Sequence, residues 1–99
     1  MSKSLKVYWS KATLEDFRLE SKYIAEDNPK AAKKFIHQVQ HQLKLLKTQP
    51  HMGRIGRIPE TRELIIKGFC YLVIYRIQNQ AIEIVAIFHA ARQYPSIDV

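Results

Sequence analysis

Arg54, Arg57, Arg62, Lys67, Arg76, His89, Arg92 and Tyr94 are cationic or proton-transferring side chains gathered in the second half of this sequence. Together they are of the kinds that cleave RNA without a metal. The 2′-hydroxyl must lie in line with the phosphate, a base must take its proton, an acid must protonate the leaving oxygen, and cations must steady the extra charge on phosphorus. His89 suits the acid or base role because imidazole titrates near neutrality. Arg62 and Arg76 could grip the phosphate with forked hydrogen bonds, and Tyr94 could stack on a base or assist proton transfer. The plainer alternative is structural: Arg76 and His89 close strand ends, Tyr94 packs, and the arginines are solvated or ion-paired.

Other chemistries find less support. His37 and His41 are four apart and would share a helix face, but the residue after His37 is Gln38, not the glutamate of a zinc-protease helix, and no third ligand is evident. Cys70 falls inside a predicted strand, where a buried, inert thiol is expected. Gly53-Arg54-Ile55-Gly56-Arg57 has too few glycines for a phosphate loop and precedes no helix. No metal or cofactor is implied.

The 99 residues suggest a single domain, 1–99, marginal enough that a partner covering apolar surface would matter. Sixteen Lys and Arg against nine Asp and Glu give a net charge of +7. That balance fits either an ordinary positive surface or a polyanionic partner such as nucleic acid, the ribosome or an acidic protein segment. One cysteine excludes an intrachain disulfide and fits a reducing compartment. With no signal-like or membrane-spanning run, a cytoplasmic protein with no membrane partner is expected.

The elements that must position these residues are legible in outline. Leu5 to Trp9 alternates like a short strand, with Val7 and Trp9 on one face and Lys6 and Tyr8 on the other. Ser10 can cap a helix from Lys11 to about Glu26, whose apolar stripe is Leu14, Phe17, Ile24 and Ala25, widened by Leu19 and Tyr23. Asn28-Pro29 starts a second helix running to about Lys47. Ala32, Phe35, Ile36, Val39, Leu43 and Leu46 make its stripe. Gln49 to Glu60 reads as a loop without regular structure. Between Thr61 and Phe88, three apolar runs separated by short gaps predict an antiparallel meander. An α+β fold follows, with an antiparallel sheet, both helices across one face and the other face partly open.

In order along nearly the whole chain, several segments resemble the RelE/ParE toxin superfamily. They are the hairpin Tyr23 to Ile36, the loop Pro50-His51-Met52-Gly53-Arg54, Arg62-Glu63-Leu64, Tyr71 to Arg76 and the ending His89 to Pro95. The resemblance implies a type II toxin neutralised by a cognate antitoxin, with operator DNA bound only through that antitoxin. RelE-like members cut mRNA on the ribosome, whereas ParE-like members poison DNA gyrase without cleaving nucleic acid. Arginines stand here in the loop where RelE-like nucleases carry lysines, two alanines and Arg92 separate His89 from Gln93-Tyr94, and a carboxylate base could only be Glu60 or Glu63. The chain therefore leans to the ParE side. On that reading Arg54, Arg57, Lys67 and Arg92 bind the target. On the alternative, Arg62, Arg76, His89 and Tyr94 are the catalytic set of an endoribonuclease. A silent member that only binds its antitoxin is the third reading.

Overall fold

A computed structural model of the protein describes residues 4–91. Arg92 and Tyr94 lie outside the described residues. The element order is β1 (Lys6–Trp9), α1 (Lys11–Asp27), α2 (Pro29–Leu46), β2 (Arg54–Ile55), β3 (Arg62–Ile66), β4 (Tyr71–Gln78) and β5 (Ala81–His89). They form one five-stranded sheet in the order β1-β5-β4-β3-β2. No helix is long and apolar enough to cross a membrane among the described residues.

The helical hairpin is set by two caps. Ser10 Oγ accepts a hydrogen bond from the Thr13 amide at 3.0 Å, satisfying a donor that has no partner inside α1. Asn28 serves both helices. Its own amide donates to Ile24 O at 2.8 Å and ends α1, while its Oδ1 accepts from the Ala31 amide at 3.1 Å and starts α2. Pro29 follows at the first helical position, where a missing amide hydrogen costs nothing.

The main core lies between α2 and the sheet. Ala32, Phe35, Val39, Leu43 and Leu46 are buried along one stripe of α2. Most of that stripe packs with Leu64, Ile66, Tyr71, Val73, Tyr75, Ile82, Ile84 and Ile87. Phe35 is its hub, with ring centroids 4.7 Å from Tyr71, 5.4 Å from Phe69 and 5.9 Å from Phe17. A bulge keeps β5 in phase with this core. Ile74 pairs with Ala86 but Tyr75 pairs with Ile84, so Val85 is an extra residue. Strict alternation would send Ile87 to the far face once Ile82 and Ile84 faced the helices; the extra residue returns it.

Four expectations need correction. First, the sheet is mixed: β1 pairs with β5 in parallel, Val7 opposite Ile82 and Trp9 opposite Ile84. Parallel neighbours need a long crossover, and here everything from α1 to β4 supplies it. Second, the loop after α2 contains β2, because Arg54 and Ile55 pair with Glu63 and Arg62 of β3. Third, Cys70 is exposed in a turn with φ 54°, not buried in a strand. The turn takes four residues, Lys67 to Cys70, and Gly68 adopts φ 89°, which glycine tolerates freely. Fourth, α1 buries only Thr13. Phe17 and Ile24 pack against the core from part-buried positions. Leu14, Leu19 and Tyr23 stay 53%, 48% and 64% exposed, because α1 lies to the side of α2 and much of its stripe faces solvent.

The sheet face away from the helices carries a second apolar cluster. Leu72, Ile74 and Phe88 are buried there, with Val85 and Ala86 beside them. This face was expected to be partly open; on it Tyr8 and Ile65 are each 53% exposed.

Candidate functional site

The loop carrying Arg54 and Arg57 is pinned to β3 and β4 from both faces of the sheet. On the helix side, the Tyr75 hydroxyl donates to Pro50 O at 2.7 Å and accepts from the Gly53 amide at 3.0 Å. Arg62 joins it, with Nη1 donating to Gly53 O at 2.7 Å and to His51 O at 3.3 Å. On the other side, Glu63 is 4% exposed. Its carboxylate accepts from Arg54 Nε at 3.1 Å and from the Arg57 amide at 3.2 Å. Consecutive strand residues point to opposite faces, so Arg62 and Glu63 hold the same loop from front and back. Between the two arginines, the Gly56 amide donates to Thr61 O at 2.9 Å, and past them Thr61 Oγ1 donates to Ile58 O at 2.6 Å, closing the loop onto the start of β3. The result is a rigid presentation of two arginines on an exposed rim.

Tyr75 is fully buried in this latch, and burial raises its phenol pKa, offset in part by the Gly53 amide bond and the Arg62 charge. A raised acid pKa means the folded state keeps a proton that the unfolded chain loses. The stabilisation is therefore complete below the unfolded value of about 10 and is lost as pH rises through the higher folded value. Urea unfolding of the wild type should show stability falling above about pH 10, and Tyr75→Phe should flatten that fall. An identical alkaline slope in both proteins would remove Tyr75 as its source.

The residues proposed for cleavage are not brought together. Arg62 and Arg76 lie on opposite faces of the sheet: Arg62 pairs with Tyr75, and Arg76 is the next residue along β4. Arg76 is bound to Glu83 at 2.9 Å, and its Nε is buried without a hydrogen-bond partner among the described residues. His89 shares the helix side with Arg62 but pairs with Tyr71, at the far end of β4 from Tyr75. That is roughly 13 Å along the strand. His89 stacks edge-on against Tyr71 at 5.1 Å, and its Nδ1 accepts from the Ala91 amide at 3.1 Å. Tyr71 in turn donates to Glu20 at 2.7 Å. Of the two carboxylates considered as a base, Glu63 is committed to the loop, and Glu60 stands in the turn before β3 with φ 66°.

The target-binding set is divided as well. Arg54 and Arg57 share the loop, while Lys67 lies past the other end of β3 and is exposed. Arg62, a candidate from the sequence, here holds the loop through His51 O and Gly53 O, and the sequence did not single out Tyr75 or Gly53, which hold the loop with it. Their common signal, a loop of small and polar residues next to a strand tyrosine, is too general to find them.

A separate groove opens between β1 and the two helices. Val7, Trp9, Leu14, Phe17 and Leu43 line it, with Lys44 and Lys47 among its polar residues. Trp9 and Phe17 stack at 5.2 Å with their rings 18° apart. Around Leu14 and Phe17 it continues into an apolar furrow that reaches Ile36 on α2.

Comparison with known proteins agrees with this architecture. The family model described as "ParE toxin of type II toxin-antitoxin system, parDE" matches residues 7–94. A protein of Sinorhizobium fredii named "Putative toxin Y4kP" is 32% identical over 92 residues, covering 93% of this chain and 95% of that one. Among solved structures, the chromosomal ParDE system of P. aeruginosa superposes with TM-score 0.77 at 19% identity, over 87% of this chain and 96% of that chain. A free-state mutant of the E. coli toxin RelE superposes with TM-score 0.67 at 11% identity, over 89% of this chain and 85% of that one. At those identities the two structures speak for the fold alone. The family match over most of the chain carries the assignment: this protein belongs to the ParE toxin family of type II toxin–antitoxin systems.

Proposed function

We propose that the protein inhibits bacterial growth by binding and poisoning DNA gyrase in the cytoplasm, and that a cognate antitoxin neutralises it. One observation favours this over cleavage of ribosome-bound mRNA: Arg62, Arg76 and His89 point to different places, whereas the Arg54–Arg57 loop is held rigidly for a surface contact. A poison that acts by binding needs a stiff, charged epitope and no proton-transfer pair. Arg92, outside the described residues, and Lys67, past the far end of β3, are kept as further target-binding candidates.

The antitoxin reading rests on the groove between β1, α1 and α2. Its apolar lining suits the hydrophobic face of an amphipathic segment, and Lys44 and Lys47 suit acidic residues on that segment. Operator DNA would be reached through the antitoxin.

Purified protein should inhibit gyrase supercoiling, and adding the antitoxin should relieve the inhibition. Arg57→Ala should raise the half-inhibitory concentration by about tenfold, the loss of one charged contact of roughly 1.4 kcal/mol. His89→Ala and Tyr94→Phe should leave it unchanged. Undisturbed supercoiling, together with mRNA cleavage on ribosomes that falls by roughly 100-fold in either of those last two variants, would reverse the proposal in favour of the nuclease.

A further inference from the structure

The outer edge of β3 is only half covered by backbone. β2 pairs with Arg62 and Glu63, and the register ends there. Beyond it the edge passes Ile65, an apolar side chain 53% exposed. Unpaired edges flanked by apolar residues invite strand addition from another chain. Here the side chain of Gln42, on α2, takes the position of the missing strand. Its Nε2 donates to Ile65 O at 3.1 Å, and its Oε1 accepts from the Lys67 amide at 3.1 Å. These are the two groups, one residue either side of Ile66, that a single residue of an added parallel strand would bind through its own N–H and C=O. A carboxamide has the same donor–acceptor pair as a peptide unit and satisfies both at once. An antiparallel strand is refused too, because Ile65 and Lys67 would each need both N–H and C=O for a hydrogen-bonded pair, and Gln42 takes one of the two from each.

Gln42 reaches this edge because it flanks the buried stripe of α2 beside Val39, Leu43 and Leu46. Gln38, one turn earlier, approaches its Oε1 through Nε2 at 3.5 Å, which favours the observed orientation of the amide.

We infer that Gln42 is an edge guard: its carboxamide occupies the pairing groups of β3 and prevents a second copy of this chain from adding there. Gln42 is part-buried, and its amide is committed to the two backbone groups it meets. Glutamate could accept from Lys67 but would set a carboxylate oxygen against the Ile65 carbonyl. Methionine would fill the space and satisfy neither group.

The test compares the full chain with Gln42→Ala and Gln42→Met. Amide exchange at Lys67, followed by NMR, should quicken at least tenfold in both variants, while exchange in β4 stays as in the wild type. Light scattering should show a mass that rises with concentration in both variants and exceeds that of the wild type. Ile65→Lys placed on top of Gln42→Ala should bring the mass back down, because a charge on an open edge opposes pairing. Aggregation caused by general unfolding would instead quicken exchange in β4 and would not respond to Ile65→Lys, and that result overturns the inference. So does a pair of variants whose Lys67 exchange and mass match the wild type.

Discussion

Phe35→Ala should lower the unfolding free energy by about 3–5 kcal/mol, the cost of removing a buried aromatic ring whose space the neighbours cannot fill. Phe35 is completely buried, and three aromatic rings converge on it from α1, from β4 and from the turn before β4. No single backbone shift can close a gap bounded on three sides by different elements. For a domain of this length, such a loss corresponds to a fall in melting temperature of roughly 12 °C or more. The matched control is Leu19→Ala on α1, a residue 48% exposed, for which the change should stay within about 0.5 kcal/mol. Calorimetry of the two variants decides the matter. Similar melting temperatures for both would mean that the core is not centred on α2.

Gly53→Ala should unseat the arginine loop. A methyl group there would lie 2.7 Å from the Tyr75 hydroxyl, 2.8 Å from its Cε1 and 2.9 Å from Glu63 O. The last contact is to backbone in a strand already paired with β4, so it cannot yield. The loop must move instead, and Tyr75 loses the Gly53 amide and, with a larger shift, Pro50 O. Overpacking of this kind costs about 1–3 kcal/mol. If the protein acts on gyrase as proposed, loss of a fixed geometry at Arg54 and Arg57 should raise its half-inhibitory concentration by at least tenfold. Adding Tyr75→Phe should not restore activity, because deleting the hydroxyl leaves the ring carbon and the Glu63 carbonyl in place. Full inhibition by Gly53→Ala would show that the target is met somewhere other than this loop.

Much of the scaffold was readable in the sequence, for specific reasons. The α2 stripe repeats at helical spacing and all its members but Ile36 are buried, since a helix flat on a sheet must bury one face. Ser10, Asn28 and Pro29 announced the helix ends through chemistry that works locally. By contrast, Leu14 and Leu19 carry the same periodic signal as core residues and are exposed, because periodicity reports a face and not what lies against it. Strand direction leaves no trace in side-chain alternation, so the parallel pairing of β1 was hidden.

The site was harder to read than the scaffold. Arg62 and Arg76 are separated by a turn, and only its length decides whether their side chains share a face. Four residues in that turn bring Tyr71, Val73 and Tyr75 to the helices and send Arg76 the other way. Glu63 looked like a candidate base because it is a carboxylate among arginines. Its commitment to Arg54 and the Arg57 amide depends on a strand pairing that no local pattern encodes. Tyr75 meets partners 22 and 25 positions earlier, too far for any spacing rule.

The parallel seam between β1 and β5 has a consequence for how the molecule is born. Residues 6–9 are synthesised well before the strand they lie against, which spans residues 81–89. Until that late segment emerges, the opening strand has no neighbour, and the groove floored by Val7 and Trp9 is unfinished. A nascent chain therefore cannot close this seam, or complete the groove beside it, until residues 81–89 have been made.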